Sequence, residues 1–105
     1  MSFKNIAPQQ LQELLTQEPK PFMLDVREPF ELAAFGAVPG VVNIPMDDVP
    51  GRLNELPEDR TLPIVVICQS GARSAEVSGW LVRKGFGSVY NLQGGTYSWL
   101  RSQRA

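Results

Sequence analysis

The sequence predicts an α/β fold built on a mostly parallel sheet. Strand-like and helix-like segments alternate along the chain, which is the order expected when helices connect parallel strands. The most apolar segment, Ile64–Ile67, is a continuous run of β-branched residues, as expected of a strand buried on both faces. With 105 residues, of which 43% are apolar, the chain is long enough for one domain over residues 1–105 with a core of its own.

The helices are predicted from proline and glycine positions together with the spacing of apolar residues. Pro8 suits the first turn of a helix, and a leucine stripe with helical spacing follows it. Pro29 predicts the first turn of a second helix, and Gly85 is placed to end a third one in a left-handed conformation. The predicted helices cover residues 8–17, 28–35, 74–84 and 96–102, with a weaker helical segment over 47–56.

Four short apolar runs between these helices predict strands over residues 22–26, 41–44, 62–68 and 88–92. In open parallel sheets, sites lie at the carboxyl ends of the strands. Three of these ends carry unusual residues, at 25–27, 68–74 and 93–96. We expect them to share one edge of the sheet, and we expect Gly94-Gly95 to let the backbone pass close to the segment that follows Cys68.

Composition excludes several kinds of site. The chain has one cysteine and no histidine, which excludes an intramolecular disulfide, a cysteine-rich zinc site and any nucleophile activated by imidazole. A net charge of −1 gives no indication of nucleic-acid or membrane binding. Nothing in the sequence requires a metal or an organic cofactor. The sequence shows no targeting or membrane segment, and an unpaired cysteine suits a reducing cytoplasm.

Cys68 is the candidate nucleophile. A cysteine at the end of an apolar strand is, taken alone, more often a small buried hydrophobe. The short turn that follows can aim several N–H groups inward as an anion-binding nest, and the next helix and Arg73 add positive charge. These conditions favour a thiolate. The sequence therefore predicts a reactive Cys68 with a substrate-binding loop made of Gln69, Ser70, Gly71, Ala72, Arg73 and Ser74.

The spacing between Cys68 and Arg73 limits the kinds of group that the loop is expected to bind. Four residues separate Cys68 from Arg73, one fewer than in the loops that cysteine phosphatases wrap around phosphate. A tighter loop suits one extra sulfur atom on the cysteine, a persulfide, better than a phosphoryl group. Asp25 and Arg27 are predicted to support the border of the site, with Asp25 capping a turn or pairing with Arg27 or Arg73. A direct catalytic part for them is the lesser alternative.

These segments together resemble the single-domain rhodanese-like sulfurtransferases. The matching motifs occur in order and span roughly residues 3 to 101: DVRE at 25–28, GAVPGVVNIP at 36–45, CQSGARS at 68–74, and NLQGG at 91–95 continuing to Trp99. The resemblance implies a three-layer rhodanese fold with a five-stranded, mostly parallel sheet flanked by helices. It also implies that Cys68 accepts sulfane sulfur from a donor such as thiosulfate and passes it to cyanide or a thiol. Ala37 stands where many relatives carry histidine.

Three other functions are weighed against a thiosulfate sulfurtransferase. The chain could be a persulfide carrier that serves a protein acceptor without turnover, docking through the basic second half of the sequence. It could be a small phosphatase or arsenate reductase of related fold, which the short loop and the missing general acid disfavour. A catalytically silent scaffold is disfavoured because Cys68, Gly71 and Arg73 are all present.

Overall fold

The computed structural model describes residues 2–104, and its centre is a five-stranded sheet. The strands stand in the order β1-β5-β4-β2-β3, and every neighbouring pair among them is parallel. This confirms the predicted parallel sheet and places the carboxyl ends of β5, β4 and β2 side by side. The strands cover Lys4–Ile6 (β1), Phe22–Asp25 (β2), Val42–Asn43 (β3), Ile64–Ile67 (β4) and Val89–Leu92 (β5).

Helices cover both faces of the sheet, which confirms the predicted three-layer α/β architecture. They span Pro8–Leu14 (α1), Pro29–Phe35 (α2), Ala72–Arg83 (α3) and Gly95–Ser102 (α4), and a 3₁₀ helix spans Met46–Glu55. On one face, Val77 and Leu81 of α3 pack in one buried cluster with Val49 of the 3₁₀ helix. On the other face, Leu11 of α1 and Trp99 of α4 belong to a second buried cluster. No helix within residues 2–104 has both the length and the apolar character that a membrane crossing needs.

The alternation of side chains along β4 divides these two cores. Ile64 and Val66 belong to the cluster on the α3 face, whereas Val65 and Ile67 belong to the cluster on the α1 and α4 face. All four side chains are fully buried, as the unbroken β-branched run predicts. Cys68 continues the alternation and packs in the α3-side cluster. The strand thus sets which face of the sheet the cysteine occupies.

The structure corrects the predicted elements in three places. The residue pattern predicts four strands and misses β1, because this three-residue edge strand buries only Ile6 and so has no apolar period to detect. Helix α3 begins at Ala72 rather than at Ser74, because Gly71 takes a left-handed conformation (φ +107°) and ends the preceding loop early. Helix α1 ends at Leu14, three residues before the predicted end near Gln17.

The start of α4 closes over the end of β4. The N–H groups of Thr96 and Tyr97 donate to the carbonyl oxygens of Cys68 and Gln69, at 2.9 and 3.2 Å. Gly95 has a φ of +62°, and a Cβ atom on it would lie 2.5 Å from the Cys68 carbonyl oxygen. The expected close approach of Gly94-Gly95 to the cysteine loop is thereby confirmed. Only glycine meets both demands at position 95.

We expect Gly95→Ala to destabilise the fold by roughly 2–4 kcal/mol, because the methyl group meets backbone and the left-handed conformation is strained. Gly51→Ala is the matched control, since an added Cβ at Gly51 meets no atom within 4 Å. Urea unfolding of both variants measures the difference. Equal free energies of unfolding for the two variants would show that the backbone at the start of α4 can shift to admit the methyl group with little loss of stability.

Candidate active site

The loop between β4 and α3 brings an amide and a hydroxyl into hydrogen-bond contact with the Cys68 sulfur. The Gly71 amide points inward and donates to Sγ at 3.0 Å. The Ser74 hydroxyl oxygen lies 3.3 Å from the same sulfur. Because Gly71 is left-handed, its N–H can turn into the loop while the helix starts at the next residue. One amide of the predicted nest, that of Gly71, therefore faces the sulfur.

Two opposing effects set the pKa of Cys68. Burial raises it, because the charged thiolate loses its contact with water. Hydrogen bonds from the Ser74 side chain and from the amides of Ser74, Gly71 and Ser70 lower it, and together they outweigh burial. The pKa of Cys68 thus lies below its ordinary value, which favours the thiolate that a nucleophile needs.

Cys68 lies inside the loop rather than on its surface. The residue is 1% exposed, while Ser70 and Ala72, on the same loop, are exposed. The sulfur therefore faces a ring of loop groups rather than bulk solvent: the Gly71 amide and the Ser74 hydroxyl contact it, and the amides of Ser70 and Ser74 lie beside it.

Arg73 is held by a carboxylate on α2. Its guanidinium donates to both carboxylate oxygens of Glu31 on α2, at 2.9 and 2.8 Å. This hydrogen-bonded pairing with Arg73 lowers the pKa of Glu31 to about 2, against a smaller opposing effect of burial. The Cys68 sulfur and the Arg73 charge still act on one another, but the donors that lower the pKa of Cys68 are hydroxyl and amide groups. Arg73 therefore supports the loop from outside by tying α3 to α2.

Asp25 and Arg27 form a fully buried ion pair beside the loop. Two guanidinium nitrogens of Arg27 donate to the Asp25 carboxylate, with Nη2 at 2.8 Å and Nε at 3.0 Å, and both side chains are 0% exposed. The third nitrogen, Nη1, donates to Oε1 of Gln69 at 2.8 Å, and Nη2 also donates to the Gly36 carbonyl at 3.0 Å. The predicted pairing of Asp25 with Arg27 is confirmed. Arg27 joins the end of β2 to the first residue after Cys68.

Glu31 and Asn91 belong to the site but are not among the site residues predicted from the sequence. Glu31 accepts from the Glu28 amide as well as from Arg73, and its only signal is its place in the first turn after Pro29. Asn91 is buried and binds Ser74. A polar residue inside a short apolar strand was the available signal for it. Within residues 2–104 no cluster of acidic and cysteine side chains could hold a metal ion.

The comparisons with known proteins agree on one family. Residues 7–102 match the family model described as a rhodanese-like domain. The chain belongs to the rhodanese-like domain family. It is 36% identical over 96 residues to a sulfurtransferase of Allochromatium vinosum, covering 91% of this chain and 87% of that protein. It is 32% identical over 99 residues to the thiosulfate sulfurtransferase GlpE of Pseudoalteromonas translucida, covering 94% and 90%.

A solved structure supports the same assignment. The rhodanese-like domain protein of Staphylococcus aureus superposes with a TM-score of 0.81 at 31% identity, covering 92% of this chain and 91% of that chain. The resemblance noted in the sequence and the five-stranded fold it implies are thus confirmed. Within this rhodanese-like domain, Ala37 follows Gly36, whose carbonyl Arg27 holds. The Arg27 side chain, which also donates to Gln69, therefore links the motif at 36–45 directly to the cysteine loop.

The Glu31–Arg73 pair makes the stability of the domain depend on pH. The folded pKa of Glu31, about 2, lies below its ordinary value of 4.5. Its contribution is therefore complete above pH 4.5 and is lost as the pH falls toward 2. We expect Glu31→Gln to remove about 1–2 kcal/mol at neutral pH, after allowance for the solvent around Arg73.

Urea unfolding of the wild type, Glu31→Gln and the exposed-site control Glu58→Gln at several pH values measures this contribution. The free energies of unfolding of wild type and Glu31→Gln should converge as the pH falls through that range, while Glu58→Gln follows the wild type throughout. A constant gap between wild type and Glu31→Gln would mean that Glu31 stabilises the fold by packing rather than by charge.

Proposed function

We propose that this rhodanese-like domain transfers sulfane sulfur from a donor such as thiosulfate to a thiophilic acceptor through a persulfide on Cys68. In the first step the Cys68 thiolate attacks the outer sulfur of thiosulfate. The sulfur–sulfur bond of the donor breaks, and sulfite leaves with the electron pair. In the second step cyanide or a thiol attacks the terminal sulfur, and Cys68 leaves as a thiolate. With cyanide the cycle needs no external oxidant, reductant or proton donor.

The ring of inward donors around Cys68 carries this proposal. The Gly71 amide and the Ser74 hydroxyl contact the sulfur, and the amides of Ser70 and Ser74 also favour its anion. The thiolate and the persulfide are both anions, so one set of donors can serve both states of the cycle. Because the thiol must stay free of disulfides, we propose a reducing compartment such as the cytoplasm.

The donor class rests on the size and polarity of the loop. Gln69, Ser70 and Ala72 bring no charge to it, and Arg73 is engaged by Glu31. The loop therefore offers neutral hydrogen-bond donors to a small anion. The relative named as a thiosulfate sulfurtransferase supports thiosulfate as that donor.

The same geometry argues against a phosphatase or arsenate reductase. A phosphoryl or arsenyl group needs a bidentate guanidinium and an acid to protonate the leaving group. In the structure, both terminal nitrogens of Arg73 donate to the Glu31 carboxylate, so the bidentate face of the guanidinium is occupied. Asp25 is held as the buried partner of Arg27, and the pKa of Glu31 is about 2. With a pKa that low, Glu31 is not placed to carry a proton at neutral pH.

A persulfide carrier is the second candidate, and exposed aromatic residues beside the loop favour it. Tyr97 is 54% exposed, and its amide binds the Gln69 carbonyl. Phe30 is 68% exposed and adjoins Glu31, the partner of Arg73. Exposed aromatic side chains suit docking by a protein. A carrier would load sulfur at Cys68 and release it to a protein acceptor rather than to cyanide.

Thiocyanate formation from thiosulfate and cyanide tests the proposed enzyme. We expect turnover by the wild type and none above background by Cys68→Ala, because the chain has a single thiol. Intact mass after thiosulfate treatment should rise by one sulfur atom in the wild type only. Adding Gln12→Cys to Cys68→Ala restores a thiol on the exposed face of α1, and this double variant should remain inactive.

The outcomes separate the candidates. A wild type that gains sulfur but forms thiocyanate slowly favours the carrier. A wild type that neither gains sulfur nor exceeds Cys68→Ala refutes both. Activity of the double variant equal to that of the wild type would mean that any exposed thiol suffices and that the loop adds nothing.

A further inference from the structure

A chain of hydrogen bonds runs from the Cys68 sulfur through the core to the edge of the sheet. Sγ lies 3.3 Å from the Ser74 hydroxyl, whose oxygen lies 2.5 Å from Oδ1 of Asn91 on β5. Nδ2 of Asn91 donates to Oδ1 of Asn5 at 2.9 Å and to the Gly71 carbonyl at 3.3 Å. Ser74 is 0% exposed and Asn91 4%, so water does not compete for these bonds.

The Gly71 carbonyl fixes which way the Asn91 amide faces. A carbonyl oxygen only accepts hydrogen bonds, so the group that faces it must be the NH₂ of Asn91. The opposite orientation would set the Asn91 oxygen against the Gly71 carbonyl oxygen, two acceptors facing each other. The Asn91 oxygen is therefore the atom that faces Ser74.

The Ser74 hydroxyl can donate only one hydrogen bond, and two neighbours, the Cys68 sulfur and the Asn91 oxygen, can accept it. Because Oδ1 of Asn91 carries no hydrogen, it can only accept the hydrogen bond that joins it to Ser74. With the proton committed to Asn91, the Ser74 oxygen presents lone pairs to Cys68. A thiol satisfies this arrangement because its S–H can donate to the Ser74 oxygen. A sulfur anion does not, because it needs a donor where the lone pairs stand.

We propose that Asn91 is a positioning residue for Cys68. While the cysteine is a thiol, Asn91 accepts the single hydrogen bond that the Ser74 hydroxyl can donate, and when the sulfur becomes an anion Ser74 donates that hydrogen bond to the sulfur instead. The thiol proton leaves to solvent, and the Ser74 hydroxyl rotates about its Cβ–Oγ bond from Asn91 to the sulfur. The rotation leaves the Asn91 oxygen buried without a donor, which opposes the anion. This inference rests on the proposed function only in taking that anion to be the working state of the site.

Charged groups near the loop do not explain such an effect. Arg73 and Glu31 bind each other, and Asp25 and Arg27 bind each other. None of these four side chains bonds to Ser74 or Asn91 in the structure. A substitution at Asn91 leaves both ion pairs unchanged and acts on the sulfur through Ser74.

Loss of the Asn91 amide leaves its other partners satisfied. The Gly71 carbonyl also accepts from the Ala75 amide at 3.2 Å, and Asn5 is exposed to water. Asn91→Leu should therefore free the Ser74 proton for the sulfur without breaking the loop. Asn91→Val provides a second variant with a side chain suited to a strand.

Alkylation of Cys68 by iodoacetamide, followed across pH with no sulfur donor present, tests the proposal. We expect Asn91→Leu and Asn91→Val to raise the rate at neutral pH by roughly 3- to 10-fold, since one hydrogen bond is redirected to the anion. Ser74→Ala should lower the rate, and Asn54→Leu, at an exposed position, should leave it unchanged. Circular dichroism and thermal melting show whether each variant is folded.

The decisive comparison combines the substitutions. In the Ser74→Ala background, Asn91→Leu should have no further effect on the alkylation profile, because no hydroxyl proton remains to redirect. A slower or unchanged rate in folded Asn91→Leu, or the same acceleration with and without Ser74, would overturn the proposal. Because this experiment uses no sulfur donor, a failure of sulfur transfer and a failure of Asn91 to act through Ser74 are observed separately.

Discussion

A sulfur buried at the end of the central strand has to find its hydrogen bonds within the loop that follows it. Cys68 is only 1% exposed, so water cannot supply all of its hydrogen bonds, and the loop must close tightly enough to bring the Gly71 amide to 3.0 Å. Such closure is costly for a chain of L-residues, because successive amides have to point inward. The left-handed Gly71 makes it possible, and the surrounding elements keep the loop in that form.

Each neighbouring element holds the loop at a different point. Arg27, after β2, holds the Gln69 side chain, and the start of α4, after β5, holds the carbonyls of Cys68 and Gln69. Helix α2 holds Arg73 through Glu31. The strand order places β4 between β2 and β5, so these supports reach the loop from both sides. Shared orientation of parallel strands is what makes this possible, since it gathers all three ends at one edge.

The sequence predicted the parts of this arrangement that depend on local pattern. The β-branched run at Ile64–Ile67 predicts β4 and its burial, and Gly71 and Gly94-Gly95 predict tight backbone near Cys68. The partner of Arg73 was not predictable in this way, because Glu31 lies 42 residues away and no local rule joins them. Strand β1 was missed for a related reason. Three residues with one buried side chain carry too little periodicity to stand out from a loop.

The charged side chains of the site and the groups that hydrogen-bond to the sulfur are different groups, and this difference affects the chemistry that the site can support. The ionic groups form two closed pairs outside the ring, Asp25 with Arg27 and Glu31 with Arg73, whereas neutral amides and a hydroxyl face the sulfur. A free guanidinium beside Cys68 would hold an anion strongly in every state, and it would slow the departure of an anionic product. Neutral donors hold it less tightly, and a hydroxyl can also turn its proton toward or away from the sulfur. In the proposed sulfur transfer the negative charge moves only one atom outward, from the thiolate to the terminal sulfur of the persulfide. Neutral donors can stabilise the charge on either sulfur atom. If a charged side chain were paired with the sulfur, the same displacement would change the electrostatic energy of the pair much more.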